Sequence, residues 1–276
     1  MTIEYNDIQW FNYRGTLLPD TPPHHNITLS AQEKKQLLKK SGAYFLRWTT
    51  DFDTLQETSF WYIIKDTQEG LETYNSKTRN QIKKGLRLCH VEKITRNVIL
   101  NEGYEVYRKA FDHYQTVQKQ VEQNVFQSAL SSLEENWEFW SVRNDSGKLI
   151  AYSQNHILDN TCNYSIIKLD PDFLSLYPAY ALFFTMNDYY LNTRRMRYVH
   201  DGTRSIAHQT NIHNFLCDKF NFRKAYCTLH LAYRPDIAIM VKILYPFRHF
   251  IHSISYPLCQ KLSVLIKHEE IRRANG

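Results

Sequence analysis

The hydrophobic pattern of the second half of the chain predicts a regular alternation of strands and helices. Alternating apolar residues indicate strands over 137–142, 149–158 and 162–169, and the polar turn sequence at 144–147 joins the first two as a hairpin. Pro178 suits the first position of a helix. The pattern continues with a helix over 179–191, a strand over 197–201, a turn over 202–206, a helix over 210–220 and a strand over 225–233. The predicted order is β-β-β-α-β-α-β.

The first half gives a less regular pattern. Clustered prolines favour a loop up to about residue 29, and Ser30 with Glu33 forms a capping-box signal for a short helix that ends at Gly42. The pattern then indicates strands over 43–49, 60–65 and 90–95, a basic helix over 76–88 with Ile82 and Leu86 on its buried side, and two helices near 98–115 and 119–135.

The tail after Pro235 has apolar residues at helical spacing and basic residues between them. The apolar positions are Ile237, Met240, Leu244, Phe247, Ile251, Ile254, Leu258, Leu262 and Leu265, and the basic ones are Lys242, Arg248, Lys261 and Lys267. The pattern predicts an amphipathic helical tail, interrupted at Pro246 and Pro257. Such a tail packs on its own domain or on a second subunit, or lies on an anionic membrane.

Composition limits the class of protein. The 276 residues are 43% hydrophobic and 22% charged, which excludes extended disorder and allows a sizeable core. With only 8 glycines the chain is not collagen-like, and it lacks both the Walker and the dinucleotide-binding glycine motifs. The elements and composition together predict an α+β fold.

Charge and cysteine content add weaker constraints. The formal net charge of +6 suits an anionic ligand or surface, and it equally suits an ordinary soluble protein. The 5 cysteines form no C-x-x-C motif, and the pairs His208/His213 and His249/His252 lack an acidic partner, so no metal site is predicted. No signal-peptide pattern and no long uncharged apolar segment occurs, so we expect a cytoplasmic protein, or one held peripherally at the membrane by its tail.

The element order and the segment 211–222 resemble the GNAT superfamily of N-acyltransferases. Asn211, Lys219 and Phe222 match the asparagine, lysine and phenylalanine of a late GNAT segment. Cys217 stands where many members have a tyrosine that protonates the leaving thiolate, and Asn221 replaces a glycine. The resemblance implies a mixed sheet flanked by helices.

The cofactor loop departs from the family pattern. Members carry a glycine-rich loop whose backbone amides hold a pyrophosphate, whereas residues 174–181 here contain no glycine. This is similar to the FemAB-like and cellulose-biosynthesis acyltransferase branches, some of which use aminoacyl-tRNA. The resemblance implies an N-terminal companion region over 1–135, which is a degenerate repeat of the fold in such branches, a GNAT-like domain over 136–234 and a helical tail over 235–276.

The resemblance places the reaction where the fourth and fifth strands of the GNAT-like half separate. Asp201 or His200 is then the expected base, although an aspartate before a glycine is also typical of a turn. Cys217 is an expected proton donor or, paired with His213, a nucleophile, and a buried inert cysteine is the alternative. The expected donor-binding residues are Lys168, Leu169, Tyr177, Ala179, Tyr180 and Asn211, and the expected substrate-binding residues are Arg204, Thr203, Ser205 and Tyr164.

The favoured function is an acyltransferase that moves an acyl group from acyl-CoA to an amine on a sugar nucleotide or a cell-envelope precursor. No metal or redox cofactor is implied. A first alternative keeps the fold and takes aminoacyl-tRNA as donor, bound by the basic arc of Arg79, Lys83, Lys84 and Arg87, which is otherwise a solvated helix face. A second alternative is a non-catalytic GNAT-like module that binds a protein or a membrane.

Overall fold

The computed structural model describes residues 2–113, 119–206, 211–253 and 257–274, apart from the side chains of 253 and 257–261. The chain forms two compact units. The first contains Met1–Ile63, Thr203–Asn211 and Lys224–Gly276, and the second contains Ile64–Gly202 and Ile212–Arg223. His208 and Ile254, which the sequence singles out, lie outside the described residues.

The first unit contains parallel and antiparallel strands together with helices. Its strands lie in the order β1-β2-β3-β4-β11-β5, where β3 and β4 are parallel and β4 and β11 antiparallel. They are β1 (Thr2–Tyr5), β2 (Ile8–Tyr13), β3 (Thr16–Pro19), β4 (Phe45–Thr54), β5 (Trp61–Lys65), which continues into the second unit, and β11 (Arg223–Tyr233). Its helices are α1 (Ala31–Ser41), α7 (Pro235–Leu244), α8 (Arg248–Ser253) and α9 (Pro257–Ala274).

The predicted N-terminal loop is wrong, because residues 2–19 form three antiparallel strands. Tyr5 pairs with Ile8 and Tyr13 with Thr16, which leaves two residues in each hairpin turn. Both residues of each turn have positive φ, as a type I′ hairpin turn requires. Alternation puts Trp10 and Leu17, both fully buried, into the core with Leu37 and Leu46.

The second unit confirms the predicted β-β-β-α-β-α order. Its strands lie in the order β10-β9-β8-β7-β6, and they are β6 (Cys89–Ile94), β7 (Trp137–Asn144), β8 (Leu149–Leu158), β9 (Thr161–Leu169) and β10 (Tyr198–Thr203). Its helices are α2 (Ser76–Leu88), α3 (Arg96–Asp112), α4 (Gln123–Ser131), α5 (Pro178–Asn187) and α6 (Ile212–Phe220), with 3₁₀ helices at Leu71–Thr73 and Pro171–Leu176 and a π-helical turn at Asp188–Thr193. The final predicted strand is β11.

The compact units group the chain differently from the predicted segments. Residues 64–135 share the second unit with 136–202, and β6 pairs with β7 inside that unit. The tail packs within the first unit through Val241, Ile251 and Leu265. The functional assignment of the three segments stays a prediction.

Two helix predictions show where local sequence suffices and where it does not. The capping box of Ser30 and Glu33 is present, and Gly42 ends α1 in the left-handed conformation. On α2, in contrast, Ile82 is buried but Leu86 is 39% exposed. The buried side of α2 instead includes Gly85, which lies so close to α5 that an added Cβ would stand 2.7 Å from the Tyr177 carbonyl oxygen. The prediction for Leu86 is therefore wrong.

Candidate functional site

The strands β9 and β10 separate soon after they meet. They pair in parallel at three positions, the last of which joins His200 to Asn163, and β9 then runs on to Leu169. The pairing of β8 with β9 shifts register between Gln154 and Asn155, so β9 is also irregular at this point. The result is an opening between the two parallel strands, as the GNAT resemblance implies.

Asp201 lies at this opening, one residue beyond the last paired position of β10. Its carboxylate contacts the imidazole of His213 on α6, with 3.4 Å between Oδ2 and Nε2. Only 12% of the Asp201 side chain and 14% of the His213 side chain are exposed. Burial raises the pKa of Asp201, and the hydrogen bond from His213 opposes part of that rise. A largely desolvated carboxylate with one imidazole partner is suited to accept a proton.

His200, the other expected base, is held neutral. It is 5% exposed, and burial together with the nearby His156 lowers its pKa to about 3. Its Nδ1 accepts a hydrogen bond from the Gly202 backbone amide at 3.3 Å. An imidazole with so low a pKa is a weak proton acceptor near neutral pH, so Asp201 is the better candidate of the two.

His213 on α6 supplies the side-chain partner of Asp201. Its spacing of four residues from Cys217 allows a Cys–His pair, and in the structure its imidazole contacts Asp201. Cys217 is partly exposed on α6. No local spacing links Asp201 to His213, because the contact joins a strand to the following helix.

The expected donor-binding turn starts α5. Pro178 is the first helical residue, as predicted, and Tyr177 before it adopts a left-handed backbone with φ 60° and ψ 43°. The amides of Tyr180 and Ala181 both donate to the Tyr177 carbonyl oxygen, at 3.1 and 3.3 Å. Since Pro178 has no amide hydrogen, this turn offers fewer free donors to a pyrophosphate than a glycine-rich loop does.

The basic helix α2 packs directly on this turn. Gly85 fits against Tyr177 and Ala181, and the ammonium of Lys84 lies 4.9 Å from the centre of the Tyr177 ring. Lys83, Lys84 and Arg87 are exposed. Within the part of the chain that the structure describes, none of these three side chains forms an ion pair, so α2 presents uncompensated positive charge beside α5.

Other expected donor and substrate residues of the second unit have structural contacts. Tyr164 is 2% exposed, and its hydroxyl donates to Asn187 at 2.8 Å, which argues against direct contact with a substrate. The ammonium of Lys168 lies 5.8 Å from the Tyr107 ring centre, and burial lowers its pKa. Leu169 ends β9, where it pairs with Ala151 of β8. In α5, Ala179 and Tyr180 are half-buried. Asn211, which belongs to the first unit, is exposed.

Arg204 belongs to a cationic cluster in the first unit. Its guanidinium lies 4.4 Å from the Trp61 ring centre, as does the ammonium of Lys224, and its Nη1 donates to the Ser59 carbonyl oxygen at 2.5 Å. Its buried Nε has no hydrogen-bond partner among the described residues, and burial lowers its pKa. Thr203 and Ser205 on either side are half-buried. Two cations on one aromatic ring suit an anionic group.

Two searches of the described residues have negative results. None of the helices in those ranges is both long and apolar enough to span a bilayer. The same residues contain no group of three or more His, Cys, Asp or Glu side chains arranged to hold a metal ion.

Comparisons with known proteins give the fold. No family model matches the chain, and no curated protein sequence matches it. The crystal structure of FemX is similar with a TM-score of 0.59, at 9% identity over 85% of this chain and 85% of that chain. The C-terminal domain (DUF2156) of a putative lysylphosphatidylglycerol synthetase from Agrobacterium fabrum is similar with a TM-score of 0.53, at 13% identity over 85% of this chain and 83% of that chain. This likeness, with the element order and the opening between β9 and β10, shows that the chain has a GNAT-like fold.

Proposed function

We propose that the chain is a transferase that moves an acyl group from an activated ester or thioester to an amine. The observation that carries the proposal is the Asp201–His213 contact at the opening between β9 and β10. A carboxylate of raised pKa beside separated strands provides a proton acceptor where backbone groups are free to bind a carbonyl.

The proposed reaction is direct attack of the amine on the acyl carbonyl carbon. A C–N bond forms, and the bond from that carbon to the leaving oxygen or sulfur breaks. The proton lost by the nitrogen goes to the Asp201 carboxylate, directly or through water, and is then delivered to the leaving atom. His213 holds the carboxylate in place, and β9 amides beyond Asn163 polarise the carbonyl oxygen.

For the donor, the contacts of α5 favour aminoacyl-tRNA over the acyl-CoA that the sequence favoured. The first turn of α5 has few free amides for a pyrophosphate, whereas α2 carries unpaired basic side chains against the same turn. A nucleic acid backbone is bound by such a row of cations rather than by a single cradle of amides.

The donor is tested by binding. We expect Lys83→Glu with Lys84→Glu to weaken binding of aminoacyl-tRNA at least about tenfold, because two attractive charges become repulsive. The matched control is Lys35→Glu with Lys39→Glu on the exposed side of α1, which reverses the same number of charges elsewhere. Fluorescence anisotropy with labelled tRNA and calorimetry with acetyl-CoA measure the two donors.

Each outcome separates the candidate functions. Loss of tRNA binding in the α2 variant alone supports the aminoacyl donor. Micromolar acetyl-CoA binding that the α2 variant retains, without tRNA binding, would replace it with acyl-CoA. Binding of neither donor would contradict the transferase and leave the non-catalytic module.

For the acceptor, we propose an amine-bearing sugar nucleotide or cell-envelope precursor. Separately, the Arg204 cluster of the first unit suits a phosphate-bearing ligand, since the Arg204 and Lys224 cations each lie 4.4 Å from the Trp61 ring centre and the Arg204 Nε has no hydrogen-bond partner among the described residues. Arg204→Ala is expected to weaken binding of such a phosphate-bearing ligand, measured by calorimetry.

A further inference from the structure

The helical run 235–253, formed by α7, a 3₁₀ turn at Tyr245–Phe247 and α8, is apolar on two sides. Its inner side packs in the first unit through Val241 and Ile251, which are 3% and 7% exposed, against Leu265 and Ile266 of α9. Half-buried Ile237, Met240 and Leu244 extend this contact. The inner side accounts for most of the apolar pattern read from the sequence, but Phe247, which that pattern places on the same side, is 61% exposed.

The outer side of the same run is also apolar, and it is exposed. Ile239, Ile243, Phe247 and Phe250 are 62%, 61%, 61% and 69% exposed, and each follows the previous one by four or three residues. That spacing puts them on one helix face as a single stripe. Large exposed apolar patches are typical of protein or membrane contact sites.

The charge of this region favours a membrane over a second protein copy as the partner of the apolar stripe. The sequence has no acidic residue from 237 to 268, while it has Lys242, Arg248, Lys261 and Lys267 there. Lys242 is exposed beside the stripe, and Arg248 is compensated by Glu270 at 3.4 Å. A second copy of this surface would bring like charges together, whereas an anionic lipid surface complements them.

We propose that the stripe of Ile239, Ile243, Phe247 and Phe250 docks the protein on an anionic membrane surface. The helical run lies in the plane of the interface, with the four apolar side chains at the boundary between headgroups and acyl chains and Lys242 among the headgroups. This surface does not depend on the transferase proposal, because it is a binding property of the first unit.

Co-sedimentation with vesicles tests the proposal without any donor or acceptor. We expect the full chain to bind vesicles of phosphatidylcholine mixed equally with phosphatidylglycerol, and to bind pure phosphatidylcholine vesicles much less. Phe247→Ser with Phe250→Ser is expected to lower the partition coefficient at least about tenfold, because two large apolar side chains lose their burial. Lys242→Glu is expected to lower it about fivefold, and only at low salt.

Leu55→Ser is the matched control, because Leu55 is 102% exposed and lies outside the stripe. It is expected to leave vesicle binding unchanged, and circular dichroism is expected to show that every variant is folded. Binding that does not change in the Phe247/Phe250 variant would overturn the proposal. A dimer in light scattering that the same variant dissociates, without vesicle binding by the wild type, would overturn it in favour of a second copy.

Discussion

Two buried carboxylates of the second unit have opposite environments. Glu138 on β7, 15% exposed, is bound by Lys93 at 2.8 Å, by Arg194 at 2.6 Å and by the hydroxyl of Tyr190 at 2.9 Å. Asp201 on β10 is as deeply placed, but its carboxylate contacts the single imidazole of His213, at 3.4 Å.

The difference is the one expected between a structural carboxylate and the proposed proton acceptor. The charge of Glu138 is neutralised by two cations, and its network also joins Tyr190 to Trp140 and Asn155, so it ties β7 and β8 to the π-helical turn. Asp201 has a raised pKa because burial is not fully compensated. A group that the fold leaves partly uncompensated is poised to exchange a proton with a substrate.

The largest effect is expected for Asp201→Asn. Removal of the proton acceptor should lower the rate constant of acyl transfer by about 10²–10⁴-fold and leave donor binding nearly unchanged. Single-turnover kinetics with saturating donor measure this. Asp188→Asn, at an exposed aspartate of the same unit, is the control and should keep the wild-type rate. An Asp201→Asn protein with wild-type activity would remove Asp201 from the reaction.

The next effect is on stability. Glu138→Gln leaves Lys93 and Arg194 without their carboxylate, so the free energy of unfolding should fall by about 2–3 kcal/mol. Urea denaturation followed by circular dichroism measures it. If Glu138 is purely structural, the folded variant keeps the wild-type transfer rate, and a large loss of rate would contradict the comparison.

A smaller loss of stability is expected for Tyr190→Phe. The Trp140 indole and the Asn155 amide lose the hydroxyl that accepts from them at 2.9 and 3.2 Å, while the ring stays in place. The free energy of unfolding should fall by about 1–2 kcal/mol. Tyr189→Phe on the same turn removes a hydroxyl that accepts from Lys93 at the longer distance of 3.4 Å, so it should cost less stability. An equal loss there would show that the hydrogen bonds of the Tyr190 hydroxyl are not responsible.

The smallest expected effect concerns the pH dependence of stability. Unlike the two preceding substitutions, Asp201→Asn is expected to increase stability. The pKa of Asp201 is higher in the folded state than in the unfolded state, so ionised Asp201 lowers stability as pH rises through the window above its unfolded value. Asp201→Asn should therefore melt slightly higher than the wild type at pH 7. Below the unfolded pKa the difference should vanish, which calorimetry at both pH values checks.

The sequence predicts those parts of the fold that are determined by interactions between residues close together in the chain. The second half was predicted because its turn at 144–147 and Pro178 act locally. For the N-terminal hairpins, Ile8 and Trp10 alternate with polar residues, but the prolines near residue 20 are a stronger signal and favour a loop. Their turns use Asn6–Asp7 and Arg14–Gly15, which are weaker signals than Asn-Gly.

The site was predicted less completely than the fold. The strand order makes Asp201 a candidate base, but its environment depends on His213, which the fold brings from a separate helix. The low pKa of His200 depends on burial, which no local pattern shows. Likewise, no pattern in the sequence singles out Gly85. The structure shows that it allows the close packing of α2 on Tyr177.

The central claim is that acyl transfer to an amine depends on Asp201, and one assay tests it most directly. Purified protein is mixed with labelled aminoacyl-tRNA and hydroxylamine as a simple amine acceptor, and formation of the hydroxamate is compared between wild type and Asp201→Asn. We expect the wild type to exceed the uncatalysed rate and the variant to fall to it. A wild-type rate equal to the uncatalysed one, or a variant as fast as the wild type, would contradict the account.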